Sequence, residues 1–169
     1  TEGCVCCSMK QDFATSILTI ANSLDPEFLI VEPTGVAKLG NIINNIRQIE
    51  YERIILLKPI TVIDGNSFDS FISSYDNIYI DQLVNASKII ISKMESKDKE
   101  ENEELIKKIE NLLIKNNVSL DSVEILKEHY SNKNKDWWEN ILKSFLDEKY
   151  SIKVKSEESE EMPDSISMK

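Results

Sequence analysis

Cys4, Cys6 and Cys7 are the only three cysteines of the chain and fall within four residues. An odd number cannot all pair within one chain, and a Cys6–Cys7 or Cys4–Cys6 bridge would be strained. Thiolates at positions i, i+2 and i+3 can instead converge on one soft metal ion such as Zn²⁺ or Cu⁺. Three thiolates leave a tetrahedron incomplete, so water, another side chain or a partner would supply the fourth ligand. Such a site suits metal transfer more than storage. The same residues also read as small buried side chains or as an oxidisable thiol cluster.

The next chemistry lies in acids that follow apolar runs. Glu32 comes directly after Phe28-Leu-Ile-Val31, and Asp64 ends Ile60-Thr-Val-Ile63. An acid at the carboxyl end of a buried strand is where open α/β sheets place ligand-contacting groups. Asp64, followed by Gly65, also reads as a turn or helix-capping residue. Gly35 and Gly40 have the spacing of a phosphate-binding loop, but Asn41-Ile42 stand where Lys-Ser/Thr is needed. That loop is therefore rejected. His129 reads as a surface residue, and Trp137-Trp138 as core and boundary packing.

The elements that must position these residues follow from hydrophobic period. Helical spacing runs over 12–24 and again over 39–49. The apolar run 28–31 predicts a strand buried on both faces. Pro59 cannot donate to a ladder, which places the next main strand at 60–64. Segments 67–75 and 80–86 read as helical, and 88–91 as another buried strand. A charged run from residue 96 opens a helix through Lys115. Residues 118–126 fit strand or helix equally, and 135–150 read as a last helix. The alternation predicts an α/β fold, a mostly parallel sheet of three or four strands with helices on both faces. The expected organisation is one domain over 1–150 and an acidic, disordered tail over 151–169.

Composition removes several functions. The chain has 169 residues, 41% of them hydrophobic, and a net charge of −10. So acidic a chain repels phosphate backbones and anionic lipid, which excludes nucleic acid and membrane surfaces as expected partners. No run approaches the roughly 18 apolar residues of a membrane span. The N-terminus lacks a basic patch and an apolar signal stretch, so the expected location is the cytoplasm. Thr1 is not an initiator Met, which suggests processing or a piece of a longer protein.

Four segments in order resemble one family. They are Gly3-Cys-Val-Cys-Cys7, the strand-plus-Glu-x-x-Gly run Leu29-Ile-Val-Glu-Pro-Thr-Gly35, Thr61-Val-Ile-Asp-Gly-Asn-Ser-Phe68, and Asp81-Gln-Leu-Val-Asn-Ala-Ser-Lys-Ile-Ile-Ile-Ser-Lys93. Together they resemble the CobW-type GTPases, relatives of the nickel chaperones HypB and UreG. The likeness covers residues 3 to 95 and, more loosely, the helices to about 146. It implies a nucleotide-binding P-loop GTPase-like domain that couples GTP hydrolysis to metal delivery. By that likeness, Cys4, Cys6 and Cys7 hold the transferred Zn²⁺ or Co²⁺. Glu32, as catalytic residue, and Gly35 form the switch segment that senses the γ-phosphate and Mg²⁺. Ser92, Lys93 and Glu95 stand where the family has its guanine-reading Asn-Lys-x-Asp, with Ser for Asn and Glu for Asp. A carboxylate can accept two guanine N–H donors, and a lysine stem can pack on the base.

The family's phosphate loop lies upstream of its cysteine motif, and residues 1–169 contain no such loop. The expectation is a partial domain whose intact protein is a GTPase and which alone does not hydrolyse GTP. The implied partners are a metal-requiring client protein and either a second copy of the chain or a chain that supplies the phosphate loop. Two other readings are a non-catalytic metal-binding module and a protein-interaction module built on the tail or helix 135–150.

Overall fold

The computed structural model describes residues 5–51 and 54–147, with side chains from residue 13 onward. Its centre is a parallel sheet of three strands in the order β1 (Ile60–Asp64), β2 (Lys88–Ser92) and β3 (Glu124–Leu126). The register pairs Ile63 with Ile91 and Ile89 with Ile125. Side chains alternate along a strand, so these residues share one face. The helices are α1 (Val5–Leu24), α2 (Leu39–Arg47), α3 (Phe68–Val84), α4 (Lys99–Lys115) and α5 (Lys135–Leu142).

α3 and α4 cover the face that carries Ile63, Ile89 and Ile91. The core there also holds Phe68, Tyr79, Leu83, Ile109 and Leu113. Ile63, Ile89, Ile91, Ile109 and Leu113 are completely buried. Each such side chain contributes about 1.5–3 kcal/mol of hydrophobic stabilisation before entropy is counted. α4 starts where the sequence is most charged because Asp98 and Glu101 form a reciprocal cap. Asp98 Oδ1 accepts from the Glu101 N–H at 2.9 Å, and Glu101 Oε2 accepts from the Asp98 N–H at 3.0 Å. Two otherwise orphaned donors are thereby satisfied.

The opposite face is covered unevenly. Ile90 and Leu126 are buried there, whereas Val62 on the same face of β1 is 64% exposed. α5 sits over the β2–β3 side. Trp137 Nε1 donates to Glu124 Oε1 at 2.9 Å, and the Lys88 ammonium lies 4.9 Å from the Trp137 ring centre while also pairing with Glu124. Asn134 Oδ1 caps α5 by accepting from the Trp137 N–H.

Several sequence expectations hold. Strands 60–64 and 88–91 are present, 124–126 resolves as strand, and the two helical segments between 67 and 86 are one helix kinked at Tyr75. The buried strand expected at 28–31 is not. Phe28, Leu29 and Ile30 are exposed, at 45%, 42% and 87%, and make no ladder. A strand buried on both faces needs a hydrogen-bonded neighbour and an apolar layer on each side. The described residues provide neither beside β1.

The helix expected over 135–150 stops at Leu142. The Ser144 carbonyl accepts from the Lys58 N–H at 2.7 Å, and the Leu146 N–H donates to the Leu56 carbonyl at 2.9 Å. Residues 144–146 thus run antiparallel to 56–58, with Leu57 bridged to Phe145. Backbone groups used in that pairing cannot also serve a helix. The tail expected to be disordered lies outside the described residues.

Candidate functional site

The carboxyl ends of β1 and β2 carry the densest polar contacts between loops. Gly65 N–H donates to the Ser92 carbonyl at 3.0 Å. Ser92 Oγ donates back across the sheet to the Ile63 carbonyl at 2.9 Å. Asp64 accepts from the Asn66 N–H at 2.9 Å through Oδ1 and from Lys93 Nζ at 2.5 Å through Oδ2. The Ser96 hydroxyl donates to Asn66 Oδ1 at 2.8 Å, with the Lys93 carbonyl at the same distance as a second acceptor. Loop 64–67 and loop 92–96 are therefore joined by side chain, backbone and charge.

This joining holds an unfavourable backbone in place. Lys93 has φ 61° and ψ 28°, the left-handed region. A side chain there costs roughly 1–2 kcal/mol, and such strain persists where surrounding contacts over-determine it. The Lys93 ammonium also holds the Asp64 carboxyl below its ordinary 3.8, against partial burial; the N–H groups of Asn66 and Ser67 add to the lowering. Burial and the Asp64 charge together push the Tyr79 hydroxyl up to about 12.

Beside this knot, an open cleft of about 670 Å³ lies between the start of α4 and the loops after β2 and β3. Its lining includes Met94, Glu95, Asn102, Ile106, Lys127 and His129. Met94 and Ile106 form a buried apolar floor. Asn102 Nδ2 donates to the Met94 carbonyl at 3.0 Å, which ties the loop to α4. Glu95 Oε2 faces His129 Nε2 at 3.6 Å, and His129 Nδ1 lies 2.6 Å from the Ser131 hydroxyl. One wall of the cleft thus carries an exposed carboxylate above an apolar floor. That arrangement can accept hydrogen bonds from a flat, partly apolar ligand.

Ser92, Lys93 and Glu95 lie at this edge, their side chains engaged with Ile63, Asp64 and His129 respectively. Glu32 and Gly35 are not placed with them. Gln82 Nε2 donates to the carbonyls of Gly35 and Ala37, at 2.9 Å each, and the Gln82 carbonyl accepts from Thr61 Oγ1 at 2.7 Å. Asp81 Oδ2 accepts from the Gly40 N–H at 3.0 Å. α3 runs back along the sheet, so its last turn, and Gly35 with it, sits at the amino ends of the strands. Five-residue strands separate the two ends by roughly 13 Å. Glu32 is exposed beyond Gly35.

Cys4 lies outside the described residues. Cys6 and Cys7 belong to the first turn of α1, with side chains outside the described set. Among the described residues, no group of three His, Cys, Asp or Glu is arranged for a metal ion. None of their helices is long and apolar enough to cross a membrane.

Sequence reasoning missed the contacts of Asn66 and His129. Both lie directly after strands in space, but the partners that give them meaning, Ser96 and Glu95, are 30 and 34 positions away. Asp64 was legible as a turn residue, and its pairing with Lys93 was not.

A family model described as CobW/HypB/UreG, nucleotide-binding domain, matches residues 1–119. No solved structure matches the chain. The matched span contains the cysteine motif, Glu32 to Gly35, Asp64 and Ser92 to Glu95, and it ends before β3. With 119 of 169 residues in that match, the chain belongs to the CobW/HypB/UreG nucleotide-binding domain family.

Proposed function

We propose that this domain serves a GTP-dependent metal chaperone, with Zn²⁺ or Co²⁺ carried on Cys4, Cys6 and Cys7 and handed to a metal-requiring client protein. The observation that carries the nucleotide part is the knot at the strand tips. Lys93 and Glu95 both lie in the loop at the carboxyl edge of a parallel sheet, where such folds take their ligands, Lys93 against Asp64 and Glu95 on the cleft wall. In this reading the Lys93 stem packs on the base and the Glu95 carboxylate accepts its N–H donors. Ser92 holds the loop to the Ile63 carbonyl.

The family resemblance makes Glu32 and Gly35 the nucleotide-sensing segment, with Mg²⁺ accompanying the phosphates; this role would require the segment to leave the amino-end position at which Gln82 holds Gly35. Residues 1–169 contain no Gly-x-x-x-x-Gly-Lys-Ser/Thr run, so the phosphate-binding lysine would come from residues outside this chain. Bound metal is the cargo. Thiolate ligation releases protons, so metal affinity rises with pH.

Two measurements test this reading. Reduced protein loaded with Zn²⁺ or Co²⁺ and freed of excess should retain one ion per chain. The ion should be lost when Cys4, Cys6 and Cys7 are changed to Ser. Guanine-nucleotide binding, followed with a fluorescent GDP, should weaken in Glu95→Gln. Metal binding without nucleotide binding would favour the non-catalytic metal-binding module instead.

A further inference from the structure

The knot at the strand tips has a part that the guanine-reading motif does not include. Asp64 and Asn66 belong to the loop after β1, some 30 residues before Lys93 and Ser96. Yet Asp64 Oδ2 holds Lys93 Nζ at 2.5 Å, and Asn66 Oδ1 accepts from the Ser96 hydroxyl at 2.8 Å. These contacts grip loop 92–96 on both sides of Glu95. The loop needs such a grip because Lys93 is left-handed without being glycine.

We infer that Asp64 and Asn66 are positioning residues for base recognition, clamping Lys93 and Ser96 so that Glu95 keeps one orientation toward the base. The inference rests on the nucleotide reading of Lys93 and Glu95 given above. Asp64 leaves the stem of Lys93 uncovered. The Lys93 side chain is 57% exposed, whereas Asp64 is 26% exposed. An ammonium held at its tip with its carbons open to solvent is already in the geometry of a flat apolar shelf. Fixing that shelf and the neighbouring carboxylate in advance lowers the ordering cost of binding.

His129 faces Glu95 from the loop after β3, and Lys93, Asp64, Lys99 and Lys127 are the other charged groups nearby. Among the side-chain contacts, Asp64–Lys93 and Asn66–Ser96 are the two that join loop 64–67 to loop 92–96. The Gly65–Ser92 and Ser92–Ile63 bonds hold the start of the loop, and Asn102 ties Met94 to α4. The two side-chain contacts flank Glu95, and each can be removed without altering Lys93 or Glu95.

The test compares the full chain with Asp64→Asn and, separately, Ser96→Ala. Fluorescent GDP and fluorescent ADP are titrated into each, and hydrogen exchange is followed over residues 92–97. Asp64→Asn is nearly isosteric, and Ser96→Ala removes one exposed hydroxyl. The expected result is faster exchange over 92–97 in both variants and about tenfold weaker GDP binding in Asp64→Asn. ADP binding should change less than twofold, so discrimination between the bases collapses. A purely structural role would instead weaken both nucleotides equally, and that result overturns the inference. Wild-type binding with unchanged discrimination in both variants overturns it as well. Failure of the wild-type chain to bind either nucleotide would mean that Lys93 and Glu95 do not hold a base without the phosphate-binding residues outside this chain, and it overturns the positioning role for residues 1–169.

Discussion

Gly65 approaches Ser92 so closely that the same carbonyl oxygen which accepts its N–H at 3.0 Å would lie 3.1 Å from a Cβ added at Gly65. Ile91 Cγ2 and Leu105 Cδ2 would follow at 3.4 Å. The contact with Ser92 is backbone, so it cannot swing away. Gly65→Ala should therefore cost about 1 kcal/mol and Gly65→Val about 3 kcal/mol, the usual range for overpacking. Urea unfolding checks this. A wild-type midpoint for Gly65→Val would mean that the two loops are not in contact.

Acid should loosen the strand tips. Asp64 is held below its ordinary value of 3.8 mainly by Lys93. For Glu124, burial acts upward, but the Lys88 and Trp137 hydrogen bonds and the charges of Lys88 and Lys133 outweigh it and hold the group below its ordinary 4.5. A carboxyl lowered in the folded state binds fewer protons than in the unfolded chain. Its stabilisation is thus present above the ordinary value and is lost as pH falls through the folded one. Urea midpoints should hold steady from pH 7 to about 5 on this account and fall below pH 4.5. In Asp64→Asn the fall should be shallower.

The cap of α4 is a separate source of stability. Asp98→Ala removes the acceptor for the Glu101 N–H and should lower stability by about 1 kcal/mol. Asp98→Asn keeps an acceptor and should recover most of it. Thermal melts of the three proteins would show the order, and an unchanged Asp98→Ala would sink the capping assignment.

Metal retention should depend on pH in one direction. If Cys4, Cys6 and Cys7 bind as thiolates, a Co²⁺ competition titration should show affinity rising between pH 6 and about 8, below the ordinary thiol value. Thiolate-to-metal charge-transfer absorption should rise in parallel. A pH-independent affinity would point to other ligands.

GTP hydrolysis by residues 1–169 alone should be at the level of a buffer blank. Phosphoryl transfer needs a lysine and a metal-binding hydroxyl of the phosphate loop, and no such motif occurs in these residues. Turnover by a clean preparation that persists in Lys93→Ala would place catalysis on other groups.

Most of the α/β architecture was legible because its cues are local. A short apolar run such as Ile89-Ile-Ile91 in β2, or the 3.6-residue period of Leu105, Ile109 and Leu113, follows from side chains that neighbour one another in the chain. The charged run from residue 96 marks a helix start for the same reason, while the Asp98–Glu101 cap itself is seen in the structure. The order of those cues also specifies a parallel sheet, since strands that alternate with helices cannot pair as hairpins.

Other features depend on what meets what across the fold. Phe28 to Val31 has the composition of a buried strand, yet burial needs partners, and composition cannot supply the ladder and apolar layers that would enclose it. Phe145 and Leu146 continue the helical period of α5, but the backbone around them is taken by residues 56–58. Glu32 and Gly35 were grouped with Lys93 and Glu95 through a resemblance. Only the folded chain shows Gln82 holding Gly35 at the far end of the strands.

The chain by itself thus determined most of the elements, their order, the family and the residue types available for chemistry, because periodicity and motif spacing are properties of neighbours in sequence. The tertiary structure decided which of those residues share a site. A carboxylate at position 64 and an ammonium at position 93 become one ion pair only when two parallel strands end side by side in register, Asp64 opposite Ser92. That proximity comes from hydrogen bonds between strands and from packing under α3 and α4, and neither is written in either residue's own neighbourhood.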